Sequence, residues 1–261
     1  MIEQLHDHLA ICKRDTVWVA GAGSREYNLD TDRSDTDIVQ IVYPTFVDLY
    51  SKYTYQKELT NLEGNIDLKT YDYRELPNLF YKQSLDVLQL LYAFYQEIGM
   101  FTKHTRGMTN IINMRTEICR MNLFKFYKSN FHTAKHKIER LKKSLKEDGT
   151  YDGKEAMFVY RILNIMVRFA QDDFVMSKEI ITATSMYRTF LLGLADGGKT
   201  FTFEQAMTYI DDVYKHVEAL EDDYQHAHHR FEAEAEITLE TLNEIVQADV
   251  KEYILMYPNK I

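Results

Sequence analysis

The sequence predicts an α+β fold, with a small α+β portion up to about Glu97 and a larger helical portion after it. Three observations predict it. Three short β-rich runs lie before residue 75. From Leu76 onward apolar residues recur at three- and four-residue steps, which is a helical period. Three Pro and ten Gly in 261 residues favour long uninterrupted helices.

The elements follow in order. Leu5, Leu9 and Ile11 have roughly helical spacing and predict a short helix. Residues 16–20 (TVWVA) are β-formers that end at Gly21, a strand followed by a turn. Residues 37–43 (DIVQIVY) form a second strand, stopped by Pro44. Residues 53–62 fit either strand or helix, and Gly64-Asn65 marks a turn. Residues 66–71 (IDLKTY) alternate like a half-buried strand, Ile66 and Leu68 on one face, Asp67 and Lys69 on the other. Beyond Tyr73 the pattern to Tyr257 is almost wholly helical. Breaks fall near Gly107, Asp148-Gly149, Asp152-Gly153 and Asp196-Gly197-Gly198.

The 45% hydrophobic content is enough for a real core. No run approaches the ~20 apolar residues of a membrane span, and acids and His interrupt any apolar signal at the N-terminus. Cys12 and Cys119 lack Cys-x-x-Cys spacing and are expected to be reduced, structural thiols of a cytoplasmic protein. The net charge of −9 is segregated. Residues 102–147 hold twelve Lys or Arg against three Glu, and residues 201–261 hold four against fourteen Asp or Glu. The basic stretch suggests a surface that meets an anion, nucleotide or nucleic acid. The acidic one is most simply a solvated helical face.

Residues 21–42 (GAGSREYNLDTDRSDTDIVQIV) concentrate the chemistry. Asp35 and Asp37 stand two apart where a strand begins, so both carboxylates point to one face. Like charges that close repel unless a cation lies between them, and hard oxygen ligands suit Mg²⁺. Asp67 on a neighbouring strand can add a third carboxylate, and three can serve two metals in phosphoryl or nucleotidyl transfer. An acidic turn would look the same from Asp-x-Asp alone. Gly21, Gly23 and Ser24 form a small-residue turn whose amides, with a following helix N-terminus, can approach a phosphate. Ser24 can donate its hydroxyl there and Arg25 its charge. A dinucleotide fingerprint is not present, since Glu26 stands where a third Gly is needed, and no Gly-Lys-Ser/Thr follows for a P-loop.

Gly23-Ser24, Tyr27 and Ser34-Asp35-Thr36-Asp37, with eleven residues from Ser24 to Asp35, resemble the signature of the polymerase-β-like nucleotidyltransferases. The likeness is to a bacterial and phage branch with a GS-R-x-Y-G pattern followed by SD-x-D. Asp67 matches the third carboxylate of that fold. Residues 84–92, 130–137 and 154–163 are similar to later motifs of the branch, so the resemblance covers about residues 17–170. Asn28 departs from the usual Gly, though Asn tolerates left-handed backbone, and Ser84-Leu85 stand where Asn-Pro is common. Asp30 and Asp32 are extra acids, read as solvated.

The resemblance implies a small mixed-sheet nucleotidyltransferase domain over residues 1–97 and an all-α domain over 98–261. It implies a nucleoside triphosphate held at Gly23, Ser24 and Arg25, with Lys154 and Arg161 facing the cleft and touching phosphates. Asp35 and Asp37 would bridge two Mg²⁺, and Asp67 would bind the catalytic metal and help deprotonate an acceptor hydroxyl. Transfer of a nucleoside monophosphate would release pyrophosphate. The alternative is a catalytically silent nucleotide- or nucleic-acid-binding protein of the same fold. The basic segment 102–147 favours RNA or another nucleic acid as acceptor. Lys154, Arg161 and Arg168 lie seven apart, hence near one helix face, where a solvated basic stripe is the other reading. His132 and His136 lie four apart between lysines, which favours anion contact or plain surface over metal. His226, His228 and His229 sit in an acidic helix as solvated residues. Residues 157–160 (MFVY) are expected in the core between helices.

Overall fold

A computed structural model describes residues 8–32, 34–51, 53–63, 65–93 and 105–257. The predicted boundary at 97/98, Gly64 and most of the first predicted helix lie outside them. The fold is α+β: a four-stranded mixed sheet comes first and a mostly helical part follows. The strands are β1 (Thr16–Ala22), β2 (Thr36–Val42), β3 (Gln56–Leu62) and β4 (Ile66–Asp72), in the order β1-β2-β4-β3. β1 and β2 are antiparallel, β2 and β4 parallel, and β3 and β4 antiparallel. The ambiguous stretch 53–62 thus resolves as an edge strand. Its polar QKELTNL sequence suits an exposed edge, and pairing with β4 overrides its weak local pattern.

The sheet has two covered faces. Val19, Ile38, Ile66 and Leu68 pack with Leu9 on one side. Trp18, Ala20, Val39 and Ile41 face the helices and join a core that continues to Val250. Period-two alternation therefore sends Ile66 and Leu68 away from the helical part and leaves Asp67, Lys69 and Tyr71 pointing towards it.

Two short helices follow β2's neighbourhood, α1 (Gly23–Glu26) between β1 and β2, and α2 (Phe46–Tyr50) after β2. Beyond the sheet lie α3 (Leu76–Tyr81), α4 (Leu85–Leu88), α5 (Arg106–Asn113) and α6 (Arg115–Arg120). The long helices are α7 (Leu123–Ser144), α8 (Gly153–Gln171), α11 (Phe203–Ala219) and α13 (Glu232–Met256). They are interspersed with α9 (Lys178–Ile181), α10 (Ser185–Ala195) and α12 (Glu221–Arg230). α8 packs on α7, α9, α10 and α11, and Ala156, Val159, Leu163 and Met166 on it are buried.

α13 returns to the sheet. Tyr253 stacks on Tyr43 with ring centroids 3.9 Å apart and an interplanar angle of 3°. Its hydroxyl donates to Asp15 Oδ2 at 2.9 Å. Asp249 Oδ2 accepts from the Tyr73 hydroxyl at 3.0 Å and the Thr105 hydroxyl at 2.7 Å. No helix among the described residues is long and apolar enough to cross a membrane.

Candidate active site

The site starts at the turn after β1. Gly23 adopts φ +68°, and a Cβ placed on it would lie 1.8 Å from Asp37 Oδ2. Glycine is required here because the turn backbone presses against a carboxylate of β2. Besides any phosphate expected at this turn from the sequence, Gly23 has to accommodate the Asp37 carboxylate. The following helix, Gly23–Glu26, is a single turn, so its dipole adds little potential. Arg25 is exposed, and donates Nε to Asp35 O at 3.1 Å and Nη2 to Ser34 O at 2.9 Å. As it stands, it braces the Asp35 loop. Asn28 adopts φ +58°, the left-handed turn expected of it.

Asp37 and Asp67 are direct partners in the parallel ladder of β2 and β4. Both are half-buried, both face the helical side, and both line a pocket of about 430 Å³. Asp67 Oδ1 accepts the Asn61 amide at 2.7 Å. Asp35 lies one residue before β2, is half-buried, and stands outside the lining. It still acts on Asp37: burial first, then the charges of Asp35 and Asp67, push the Asp37 carboxyl above the ordinary carboxylate range. Lys69 opposes this more weakly, since its ammonium is paired with Glu58 at 3.2 Å. Among the described residues no three Asp, Glu, His or Cys side chains converge tightly enough to grip an ion as they stand. The donor types nonetheless suit a hard divalent cation: the Asp37 and Asp67 carboxylates share the pocket, and the Lys69 ammonium that also lines it is paired with Glu58.

The opposite wall is helical. Arg161 of α8 is 3% exposed and lines the pocket. Its guanidinium lies 3.6 Å over the Tyr27 ring, and it donates to Gln89 Oε1 and, at 3.2 Å, to Ile181 O. No carboxylate is within ion-pair distance of it among the described residues. Burial lowers its pKa and pushes the Tyr27 phenol up to about 12. A buried guanidinium with no ion-pair partner, and only the more distant charge of Asp86 acting on it, is costly unless an anion completes it. Ser24, Ser84 and Asp86 add polar lining, and Val87, Leu90, Met157 and Phe158 add apolar surface.

Of the predicted site residues, Gly23, Ser24, Asp37, Asp67 and Arg161 are brought together. Lys154 is exposed and outside the lining. Arg168 grips Glu179 O at 2.8 Å and Ile180 O at 3.2 Å. Met157 and Phe158, expected in the core, are half-buried pocket wall instead. Asp86 went unread because an acid in a helix's first turn looks like ordinary dipole complementation. His132 and His136 are exposed. Part of the basic segment's charge is met internally: Lys128 pairs with Glu221, Lys137 and Arg140 with Glu155, and Lys142 with Glu139. Cys12 and Cys119 are free and buried.

No protein-family model matches this chain, and no curated protein matches it significantly.

Proposed function

We propose that this pocket is the active site of a Mg²⁺-dependent nucleotidyltransferase. It moves a nucleoside monophosphate from a nucleoside triphosphate to an acceptor hydroxyl and releases pyrophosphate. One observation carries the reading. A single pocket sets two register-paired carboxylates, Asp37 and Asp67, opposite a buried guanidinium that lacks an acid partner. Such a site is complementary to a ligand carrying both cation and anion, which describes a metal-bound triphosphate.

Asp37 and Asp67 would hold the Mg²⁺; Asp35, outside the pocket lining as it stands, would have to turn in from the loop to join them. The ions would supply charge neutralisation on the phosphates and a lowered pKa for the acceptor hydroxyl. Arg161 stabilises phosphate charge from the far wall, its guanidinium buried and held in place, where a fixed cation is worth most. Ser24 donates its hydroxyl to a phosphate oxygen. The apolar surface of Met157 and Phe158 receives the nucleoside. Lys154, being exposed, is left out of this assignment, and Arg25 acts on the loop. The acceptor is a hydroxyl compound, with nucleic acid one class to be tried.

The test is incubation with each labelled nucleoside triphosphate and Mg²⁺ against pooled RNA, DNA and protein acceptors. The double substitution Asp35→Ala/Asp37→Ala is expected to lower incorporation by about 10²–10³-fold or more with the fold retained. Full activity in that variant sinks the proposal. Triphosphate binding by the wild type without pyrophosphate release would instead assign it to the catalytically silent binders.

A further inference from the structure

We propose that Asn28 and Arg188 are positioning residues that clamp the turn at residues 23–30 to the helical part and so hold Asp37 in place. This rests on the nucleotidyltransferase reading above. Asn28 occupies φ +58°, where a glycine is less strained. An asparagine there must bring something that glycine lacks. Its Nδ2 donates to Ala183 O at 2.9 Å, and Ala183 N donates back to Tyr27 O at 2.9 Å. Arg188 closes the turn from the other side. Its Nε donates to Asn28 O at 2.9 Å and its Nη2 to Asp30 O at 2.8 Å. Four bonds thus join this turn to a segment some 155 residues later in the chain.

That segment is itself held from α8. Arg168 grips Glu179 O and Ile180 O, and Arg161 grips Ile181 O. Arg161 also lies over Tyr27, one residue from Asn28. At the turn's near end, the Gly23 backbone presses on the Asp37 carboxylate. A continuous path therefore runs from α8 through residues 179–188 and the turn to Asp37. Asn28 is exposed, where its neutral bond adds little to global stability, and the charge-assisted bonds of Arg188 are half solvated. What they fix is backbone beside the reacting groups, and a misplacement of about 1 Å there can cost roughly 100-fold in rate.

The test compares wild type, Arg188→Ala, Arg188→Lys, Asn28→Asp and Asn28→Gly for nucleotide incorporation and backbone hydrogen exchange. Arg188→Ala and Asn28→Asp are expected to lower kcat by about tenfold or more, with KM for the nucleotide changed far less. Amides at residues 24–30 exchange faster, while those of α8 stay protected. Arg188→Lys, which keeps one donor, recovers part of the loss. Asn28→Gly relieves the strain yet loses the amide, and falls with Asn28→Asp. Unchanged kcat in both Arg188→Ala and Asn28→Asp overturns the proposal. So does a loss accompanied by faster exchange throughout α8, which marks general destabilisation. If the wild type transfers no nucleotide, the nucleotidyltransferase reading fails on its own. The clamp is then decided by exchange at residues 24–30, and unchanged protection in Arg188→Ala overturns it.

Discussion

Asp37 bears the conflict of this fold. It is wedged against Gly23, half-buried, and surrounded by the charges of Asp35 and Asp67. A carboxyl whose folded pKa is raised adds stability below its unfolded pKa, and that contribution is lost as pH climbs through the folded value. Once ionised, Asp37 therefore weakens the fold. Asp37→Asn in chelator at pH 7.5 is expected to raise the thermal midpoint by about 2–4 °C, with a smaller gain at pH 4.5. Mg²⁺ should stabilise the wild type and leave the variant unmoved. A lower midpoint for the variant at both pH values would contradict this account. A charge set against stability at Asp37 is what the proposed metal site would require.

At the scale of elements, α2 shows how a short helix is anchored beside the sheet. Thr45 and Asp48 form a capping box, and Arg14 reaches the Asp48 carboxylate at 3.0 Å. Burial alone would raise the Asp48 carboxyl. The Thr45 amide and hydroxyl and the Arg14 guanidinium outweigh it and hold the group below the usual range. That stability is present above the unfolded pKa and is lost as pH falls through the lowered folded one. Asp48→Ala is expected to cost about 3 kcal/mol in urea titrations at pH 7, and much less near pH 2.5. An equal cost at both would show that packing, not the carboxylate, is responsible.

Elements also explain what could be read beforehand. The β1, β2 and β4 patterns were legible because period-two burial writes itself into Ile66, Asp67, Leu68 and Lys69. β3 was not, because a solvent-facing edge strand carries no apolar alternation. The seven-residue spacing of Lys154, Arg161 and Arg168 placed them on one stripe, yet their fates differ along the axis. Lys154 lies in the first turn of α8 and is exposed, although Gly153, Glu155 and Ala156 beside it are buried. Arg161 meets the pocket, and Arg168 meets the carbonyls of Glu179 and Ile180. Spacing gives the face of a helix, while depth is decided by elements distant in sequence. The facing of Asp37 and Asp67 needed the β2–β4 register, which no local pattern states.

Across the whole molecule, one hydrophobic core runs from Val17 on β1 to Val250 on α13. The charge segregation along the chain is partly neutralised in space, since α7 packs against α12 and Lys128 meets Glu221. The sheet and the helices are therefore expected to unfold together. Tyr253→Ala, which removes the stack on Tyr43 and the bond to Asp15, should lower stability by about 3 kcal/mol. Far- and near-UV circular dichroism should still report coincident transitions. Separate midpoints for the two signals would instead mark two independent units.

The clamp on the turn also sets an order of events on the ribosome. Residues 27–30 emerge early, but Ala183 and Arg188 follow more than 150 positions later, and Tyr253 later still. At about 5–20 residues per second, the nascent sheet, complete only at Asp72, waits roughly 6–23 s for its clamp. Throughout that interval the sheet face of Trp18, Val39 and Ile41 can already gather Tyr73, Leu76, Phe80 and Leu88, while the turn at residues 27–30 stays without its partners. The backbone beside Asp37 is thus the late-setting part of a core that starts to assemble much earlier.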